Sequence, residues 1–323
     1  TGLRRSIVGV SGMVKTELPV CRETVLIRAD GRPQPAFRER LRRIPSWRNA
    51  WSVLFLYVQT GLVLWATVAF GPWIWPVTFV LMGRTFAQYL SLMHDAAHRL
   101  LFSDKRINDF AGRWLLGYPS LTNVDGYRRV HAAHHRQEFG PDEPDMALYA
   151  GYPISTASFR RKLSRDATGR TGIKLMRQFL AGARSPDPRA RRTFWKIISI
   201  QVVLLAAAIA SGYWWLYPVF WLGPYLTVWR VINRLRSVAE HGGMAASKDR
   251  RETTHAVLQH PLARFMVVPY RIGYHLPHHV DSGVPFRNLP KLDAALREAG
   301  YIDDTIEYRS YPQLWKALHT QDA

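Results

Sequence analysis

Two blocks of apolar residues, 51–98 and 194–235, constrain this chain more than any other feature. Each is too long for one ordinary helix, and each is broken near its middle. Trp51 to Phe70 is apolar over about 20 residues, the length that crosses a bilayer. Gly71-Pro72 ends it, and a second run from Trp73 continues through Tyr89 to a histidine-bearing end. The other block divides at Ser211-Gly212-Tyr213 into runs from Trp195 to Trp215 and from Tyr217 to Leu235. The expected fold is therefore all-α and integral to a membrane, with four transmembrane helices in two hairpins. Trp73 and Trp75 mark one hairpin tip, and Tyr213, Trp214, Trp215 and Tyr217 mark the other, as aromatic residues do at a membrane interface. Neither tip carries Lys or Arg, so the positive-inside rule puts both termini and the central loop in the cytosol.

On this reading, residues 1–50 form a basic cytosolic arm. Its only apolar stretch, Ile7 to Val14, is too short for a secretory signal. Residues 51–235 hold the hairpins and a central cytosolic loop, 99–193. Residues 236–323 form a cytosolic cap, and the whole makes one integrated domain.

The 44 Lys and Arg against 24 Asp and Glu give a formal charge of +20. No basic stretch is interleaved with the stacking aromatics of a nucleic-acid surface, so no nucleic-acid partner is expected. An anionic membrane face or an acidic protein fits better. Cys21 is the only cysteine. That excludes disulfides, Cys-ligated zinc and a thiolate-held iron–sulfur cluster within one chain.

Nine of the twelve histidines fall in four places. His94 and His98 end the second run at i, i+4, so on a helix their rings share a face. His131, His134 and His135 form HAAHH in the central loop. His241 follows the fourth run, and His275, His278 and His279 form HLPHH in the tail. The topology above brings all four places to the cytosolic side of the membrane. In helical form each HxxHH triplet shares one face. Nine imidazoles exceed what one metal accepts, so two metals are expected, and imidazole alone leaves iron, copper and zinc open. Asp95 and Glu240, each beside a ligand histidine, are candidates to orient the rings. His255, His260 and His319 match none of the clusters and are read as structural or surface groups.

HDAAH, HAAHH and HLPHH, set around two apolar hairpins, resemble the three histidine boxes of the membrane-bound fatty acid desaturase and hydroxylase superfamily. The likeness runs from about Trp51 to Leu292 and includes Val284-Pro285-Phe286 and Leu289-Pro290 after the last box. It implies a helical cytosolic cap and a non-haem di-iron centre. Its ligands would be His94, His98, His131, His134, His135, His241, His275, His278 and His279, and dioxygen would be co-substrate. Where the family often has Glu, this chain has Pro277, and Ser237 stands where acyl-CoA desaturases carry Asn. The Glu240-His241 pair is similar to the alkane-hydroxylase branch.

The implied activity is oxidation of an unactivated C–H bond in a fatty acyl or lipid chain, with desaturation expected first. Hydroxylation, or decarboxylation of a free fatty acid to a terminal alkene, are the other outcomes. A membrane metal transporter is the alternative of a different class, but transporters hold their ligands near the bilayer midplane. Gly83, Ala87 and Leu90 extend the His94 face into the membrane and are candidates to line an alkyl groove, against the alternative of close helix packing. Arg84 and Arg230, the charges within the spans, are candidates for an anionic head group, unless they snorkel to the interface. No CxxC, HPGG or Gly-rich dinucleotide loop is present, so electrons must come from a separate donor. A ferredoxin, rubredoxin or cytochrome b5 type, served by a reductase, would fit the basic face. The excess of Arg over Lys points to a bacterial inner membrane.

Overall fold

The structure is a computed structural model and describes residues 12–141 and 143–320. Most of the expected stretch Ile7 to Val14 lies outside the described residues. The described chain is mostly helical, and its only strands are two-residue parallel pairs, 154–155 with 319–320 and 256–257 with 307–308.

α1 (Pro35–Leu41) leads to α2 (Ser46–Ala69), whose Leu and Ala residues favour helix and outnumber the polar Gln59, Thr60 and Thr67 of its apolar run. Gly71, at φ +68°, takes the left-handed conformation that ends it, and Pro72 and Pro76 set the fixed φ that starts the next elements. α3 (Trp75–Ala97) then runs back along α2. Tyr57 meets Tyr89 edge-on with ring centroids 5.7 Å apart, Gln59 donates to Gln88 Oε1 at 2.7 Å, and the Trp75 indole donates to the Thr67 carbonyl at 3.1 Å. Partners that fall in number along one helix as they rise along the other define an antiparallel pair.

Among the described residues, two stretches are long and apolar enough to cross a membrane: Pro35–Ala69, whose apolar part is α2, and Pro188–Ala210. Both expose much of their apolar surface, including Leu54, Phe55, Leu62 and Trp65 on the first and Val202, Val203 and Ile209 on the second. A core helix of a soluble protein would bury these residues. α3 differs in kind. It carries Arg84, Thr85, Gln88 and Ser91, all buried, and packs against α2 and the 216–241 segment as the central helix of the bundle.

The third expected span begins earlier than its apolar run, because Asp187 caps the helix by accepting from the Arg189 N–H and Pro188 follows at N1. The fourth, expected as one helix over Tyr217–Leu235, is instead broken. It consists of a π-helix (Leu216–Leu222), a short turn (Gly223–Leu226) and a helix from Val228 to His241, with Thr227 outside helical geometry at φ −121°, ψ −86°. Pro218 and Pro224 lack the N–H donors of a regular helix, which accounts for the interruptions.

Between these elements lie α4 (Lys105–Phe110), a π-helix (Ala111–Gly117) and α5 (Val124–Gln137), which carries HAAHH. α5 is tied to the end of α3. Arg128 donates to the Ala97 carbonyl at 2.8 Å and to the Ala96 carbonyl at 3.1 Å, and Asn108 donates to the Ala96 carbonyl at 2.9 Å. A cation on the last carbonyls of a helix suits its dipole. The HLPHH motif forms the helix His275–Val280. Ile27 and Leu41 from the N-terminal stretch pack with Leu276, Leu289, Leu292 and Leu296 in one core, so residues near 27–41 sit against the tail of the chain. Each such fully buried aliphatic side chain contributes roughly 1.5–3 kcal/mol.

Candidate metal centre

All nine box histidines converge, and they do so in two groups. His94, His98, His131, His135 and His278 form the first, and His134, His241, His275 and His279 form the second. Each HxxHH triplet is shared between them, in opposite proportion. From HAAHH, residues 131 and 135 turn to the first group and 134 to the second. From HLPHH, residues 275 and 279 turn to the second and 278 to the first. The expectation that each triplet would present one face is therefore corrected. Residues i and i+4 lie about 40° apart around a helix, whereas i+3 lies on their other side, so one triplet reaches two centres.

Within the groups the ring nitrogens approach closely. His131 Nε2 lies 2.8 Å from His94 Nε2 and 3.1 Å from His135 Nε2, which is 3.0 Å from His278 Nε2. His275 Nε2 lies 2.9 Å from His241 Nε2 and 3.0 Å from His279 Nε2. Nitrogens at about 2.0–2.1 Å from one cation and at right angles to each other would be about 2.8–3.0 Å apart. The observed spacing matches that geometry.

Proton placement supports the same conclusion. His134 Nδ1 is 2.9 Å from Glu143 Oε1, His279 Nδ1 is 2.5 Å from Glu138 Oε1, and His241 Nδ1 is 2.8 Å from the Thr253 carbonyl. These oxygens accept, so each Nδ1 carries a proton, and the neutral rings of His241 and His279 present a bare Nε2 inward. His275 has two such bare nitrogens as neighbours and one proton at most to offer them. A cation between the rings removes the conflict. In the first group, His98 Nε2 is buried with no hydrogen-bond partner. The donor set thus fits one metal ion in each group.

Burial, and then the neighbouring imidazoles, hold His131, His135, His275, His278 and His279 below the ordinary histidine range. They stay neutral and able to ligate. His134 departs the other way, because the Glu143 carboxylate outweighs the effect of burial.

The residues expected to orient the rings are present but less direct. Asp95 Oδ1 is 3.8 Å from His94 Nδ1, while its other oxygen accepts the Phe286 N–H at 3.1 Å. Glu240 Oε1 is 3.6 Å from His275 Nδ1 and 3.1 Å from Arg236 Nε. Ser237 donates back to the Asn233 carbonyl at 2.8 Å. The stronger acceptors, Glu138 and Glu143, were missed from sequence because they follow α5 in irregular chain. One signal was there: Glu138 lies seven residues after His131, two helical turns along the same face.

Of the candidate substrate residues, Gly83 faces Val228 so closely that an added Cβ would lie 2.3 Å from its Cγ1. The space above Gly83 is filled by the neighbouring helix. Ala87 is buried and Leu90 packs on the same core. Arg84 donates to the Phe265 carbonyl at 2.7 Å and to the side-chain oxygens of Gln59 and Gln88, each at 2.8 Å, with its guanidinium 4.2 Å from the Phe265 ring centre. Its charge is met by amides and an aromatic face within the chain. The Arg230 guanidinium sits 4.2 Å from the Tyr225 ring centre. Away from the boxes, His255 is buried and its Nε2 bonds the Gly242 carbonyl at 2.7 Å, His260 caps a helix through the Leu262 N–H, and His319 bonds Thr156.

Comparison with known proteins places this geometry. The chain is 26% identical to a dihydrorhizobitoxine desaturase of Bradyrhizobium elkanii over 73% of this chain and 72% of the relative. It is 25% identical to an sn-1 oleoyl-lipid 12-desaturase of Anabaena variabilis, over 85% and 83%. It is 21% identical to an sn-1 acyl-lipid omega-3 desaturase (ferredoxin) of a Nostoc strain, over 84% and 81%. The family profile for fatty acid desaturases matches residues 70–311 and so takes in all nine converging histidines. Three quarters of the chain lies within that match, and the chain belongs to the fatty acid desaturase family.

Proposed function

We propose that this protein desaturates an alkyl chain in a dioxygen-dependent reaction, with one iron in each imidazole group. The observation that carries the reading is the division of nine rings into two sets of converging ring nitrogens within a desaturase-family chain. Iron bound there would activate dioxygen and provide the oxidant for an unactivated C–H bond. The protein's part is to hold the ligands and present one carbon. Glu138, Glu143 and the Thr253 carbonyl fix ring orientation in the second group, and the Arg128–Ala97 joint fixes α5 against α3 for the first. Tyr127 stacks on His131 with ring centroids 5.1 Å apart and helps to shut out water.

The exposed apolar faces of α2 and the 188–210 helix support membrane insertion, with α3 and the broken 216–241 segment completing four crossings inside them. In that arrangement the helices open the metal centre to the cytosolic side of a bacterial inner membrane. The family and the oleoyl-lipid relatives make an acyl or lipid chain the first class to test. Another relative's name carries dihydrorhizobitoxine, so family membership leaves the substrate to the site.

Electrons reach the centre from a separate acidic donor, for which one relative's name supplies the ferredoxin precedent. A cleft of about 680 Å³ supports this, because Arg28, Arg32, Arg38, Arg42 and Arg250 line it together with His135 and His279. Glu39 and Asp281 also line it, and the net positive charge left beside the ligands favours encounter with an anionic protein.

The test is to supply the purified, iron-loaded chain with ferredoxin, its reductase and candidate alkyl substrates, and to analyse products by mass spectrometry. Loss of two hydrogens with about two irons per chain is expected. Gain of oxygen, loss of carbon dioxide, or a zinc-only protein would replace the reading.

A further inference from the structure

A cavity of about 170 Å³ touches both imidazole groups, His94 and His131 of the first and His134, His241 and His275 of the second. The arginine-lined cleft meets one ligand of each group, His135 and His279, whereas this cavity meets five. Its volume is below the roughly 300–1,000 Å³ typical of pockets for drug-sized ligands. Its walls are of two kinds. Leu148, Tyr149 and Ile272 offer apolar contact, whereas Asn233, Arg236, Glu240 and Asp145 bring an amide and charges of both signs.

These charges are only partly satisfied from within. Arg236 Nε and Glu240 Oε1 are buried 3.1 Å apart, yet each lacks a partner in good hydrogen-bond geometry. Asp145 offers a carboxylate oxygen within 4.8 Å of the His134 and Glu143 ligand atoms. A methylene chain laid across this wall would set the Arg236–Glu240 pair and the Asp145 carboxylate against hydrocarbon and return no hydrogen bond, which is costly for buried charge. A substrate with its own ammonium and carboxylate would match Asp145 and Glu240 with the first and Arg236 and Asn233 with the second.

We propose that this cavity is the substrate site and that it takes a compact zwitterion, with an ammonium and a carboxylate on a short carbon skeleton. The inference rests on the desaturase reading and narrows its substrate class. The bond oxidised then lies within a few carbons of the charged groups, not in the middle of a long acyl chain. The reaction balances as R–CH2–CH2–R′ plus dioxygen, two electrons and two protons giving R–CH=CH–R′ and two waters. The electrons come from the acidic one-electron carrier already required. Two C–H bonds break, one C=C forms, and both oxygen atoms leave as water. Fixing a small molecule by three charged side chains holds one C–H bond near the centre, where a flexible alkyl chain would slide.

The test uses the iron-loaded chain in detergent and equilibrium dialysis with four probes: L-norleucine, hexanoate, hexylamine and palmitate. L-Norleucine is expected to bind at least tenfold more tightly than hexanoate or hexylamine. Arg236→Gln should remove its advantage over hexylamine, and Asp145→Asn its advantage over hexanoate. Wild-type competition between L-norleucine and palmitate needs no variant, and displacement of bound L-norleucine only by excess palmitate is expected. Tighter binding of palmitate, unchanged in both variants, overturns the proposal. Iron content and turnover are measured on the same samples. Palmitate desaturation by a two-iron protein that ignores L-norleucine defeats this inference and leaves the desaturase reading intact, whereas a protein without iron defeats the reading itself.

Discussion

The two imidazole groups draw on the same histidine motifs and are held in different ways. The first, His94, His98, His131, His135 and His278, is positioned by helix packing. Arg128 locks α5, and Asn108 locks α4, to the end of α3, and the rings touch mainly one another. The second, His134, His241, His275 and His279, is positioned by acceptors behind the rings, namely Glu143, the Thr253 carbonyl, Glu138 and, more distantly, Glu240. A histidine site can thus be made rigid by where its helices lie or by what its far nitrogens bond. The first device needs close helix contact, and the second suits irregular chain.

The comparison breaks most sharply if the groups are not separate metal sites. His131→Ala should empty the first group and His275→Ala the second, so each variant should keep about one iron per chain and lose all detectable turnover. Iron analysis with Mössbauer spectroscopy checks this, and the two variants should retain irons with different signatures. Loss of both irons from either variant would mean that the groups form one cooperative unit.

A smaller effect is expected from the acceptors. Glu143→Gln leaves an amide that can still accept from His134 but carries no charge. Removing such a partner typically weakens metal binding about 10–100-fold. Chelator competition should show that loss for one iron only, with the first group unaffected. Equal weakening of both irons would remove the distinction drawn above.

The smallest effect concerns the joint behind the first group. Asp109 accepts from Arg128 at 2.6 Å, and although burial acts to raise its pKa, that guanidinium wins and holds it below the ordinary carboxylate range. A depressed folded-state pKa contributes stability above the unfolded value, about 3.9, and that contribution is lost as pH falls through the folded value. Thermal melts of wild type and Asp109→Asn should differ at pH 7 and converge below about pH 4. Parallel curves across that range would detach Asp109 from the acid response.

Much of the site was legible before any coordinates. The nine histidines stand out because imidazole at i, i+3 and i+4 is rare without a use, and all nine meet in the structure. The helical fold was legible for a similar reason, since apolar runs of that length have few other solutions. The splitting of each triplet was not, because spacing fixes which side of a helix a ring leaves but not which partner waits there. Glu143 was hidden because it acts from irregular chain, where no period marks it, and Glu138 carried only the single cue of its seven-residue spacing from His131. For Gly83 the sequence offered an alkyl groove or close helix packing, and for Arg84 a head group or the interface; which partners they meet, Val228 and the amides of Gln59 and Gln88, depends on residues distant in sequence.

By itself, the sequence determined that this chain is helical, bears exposed apolar faces and carries imidazoles enough for two metals. Those properties follow from periodicity and composition, which act locally. Only the tertiary structure decided which ring serves which group, which carboxylates stand behind them, and that the cavity between the groups is small and charged. Each of these depends on the packing of α3, α5, the 228–241 helix and the 275–280 helix against one another, and no local pattern encodes that packing.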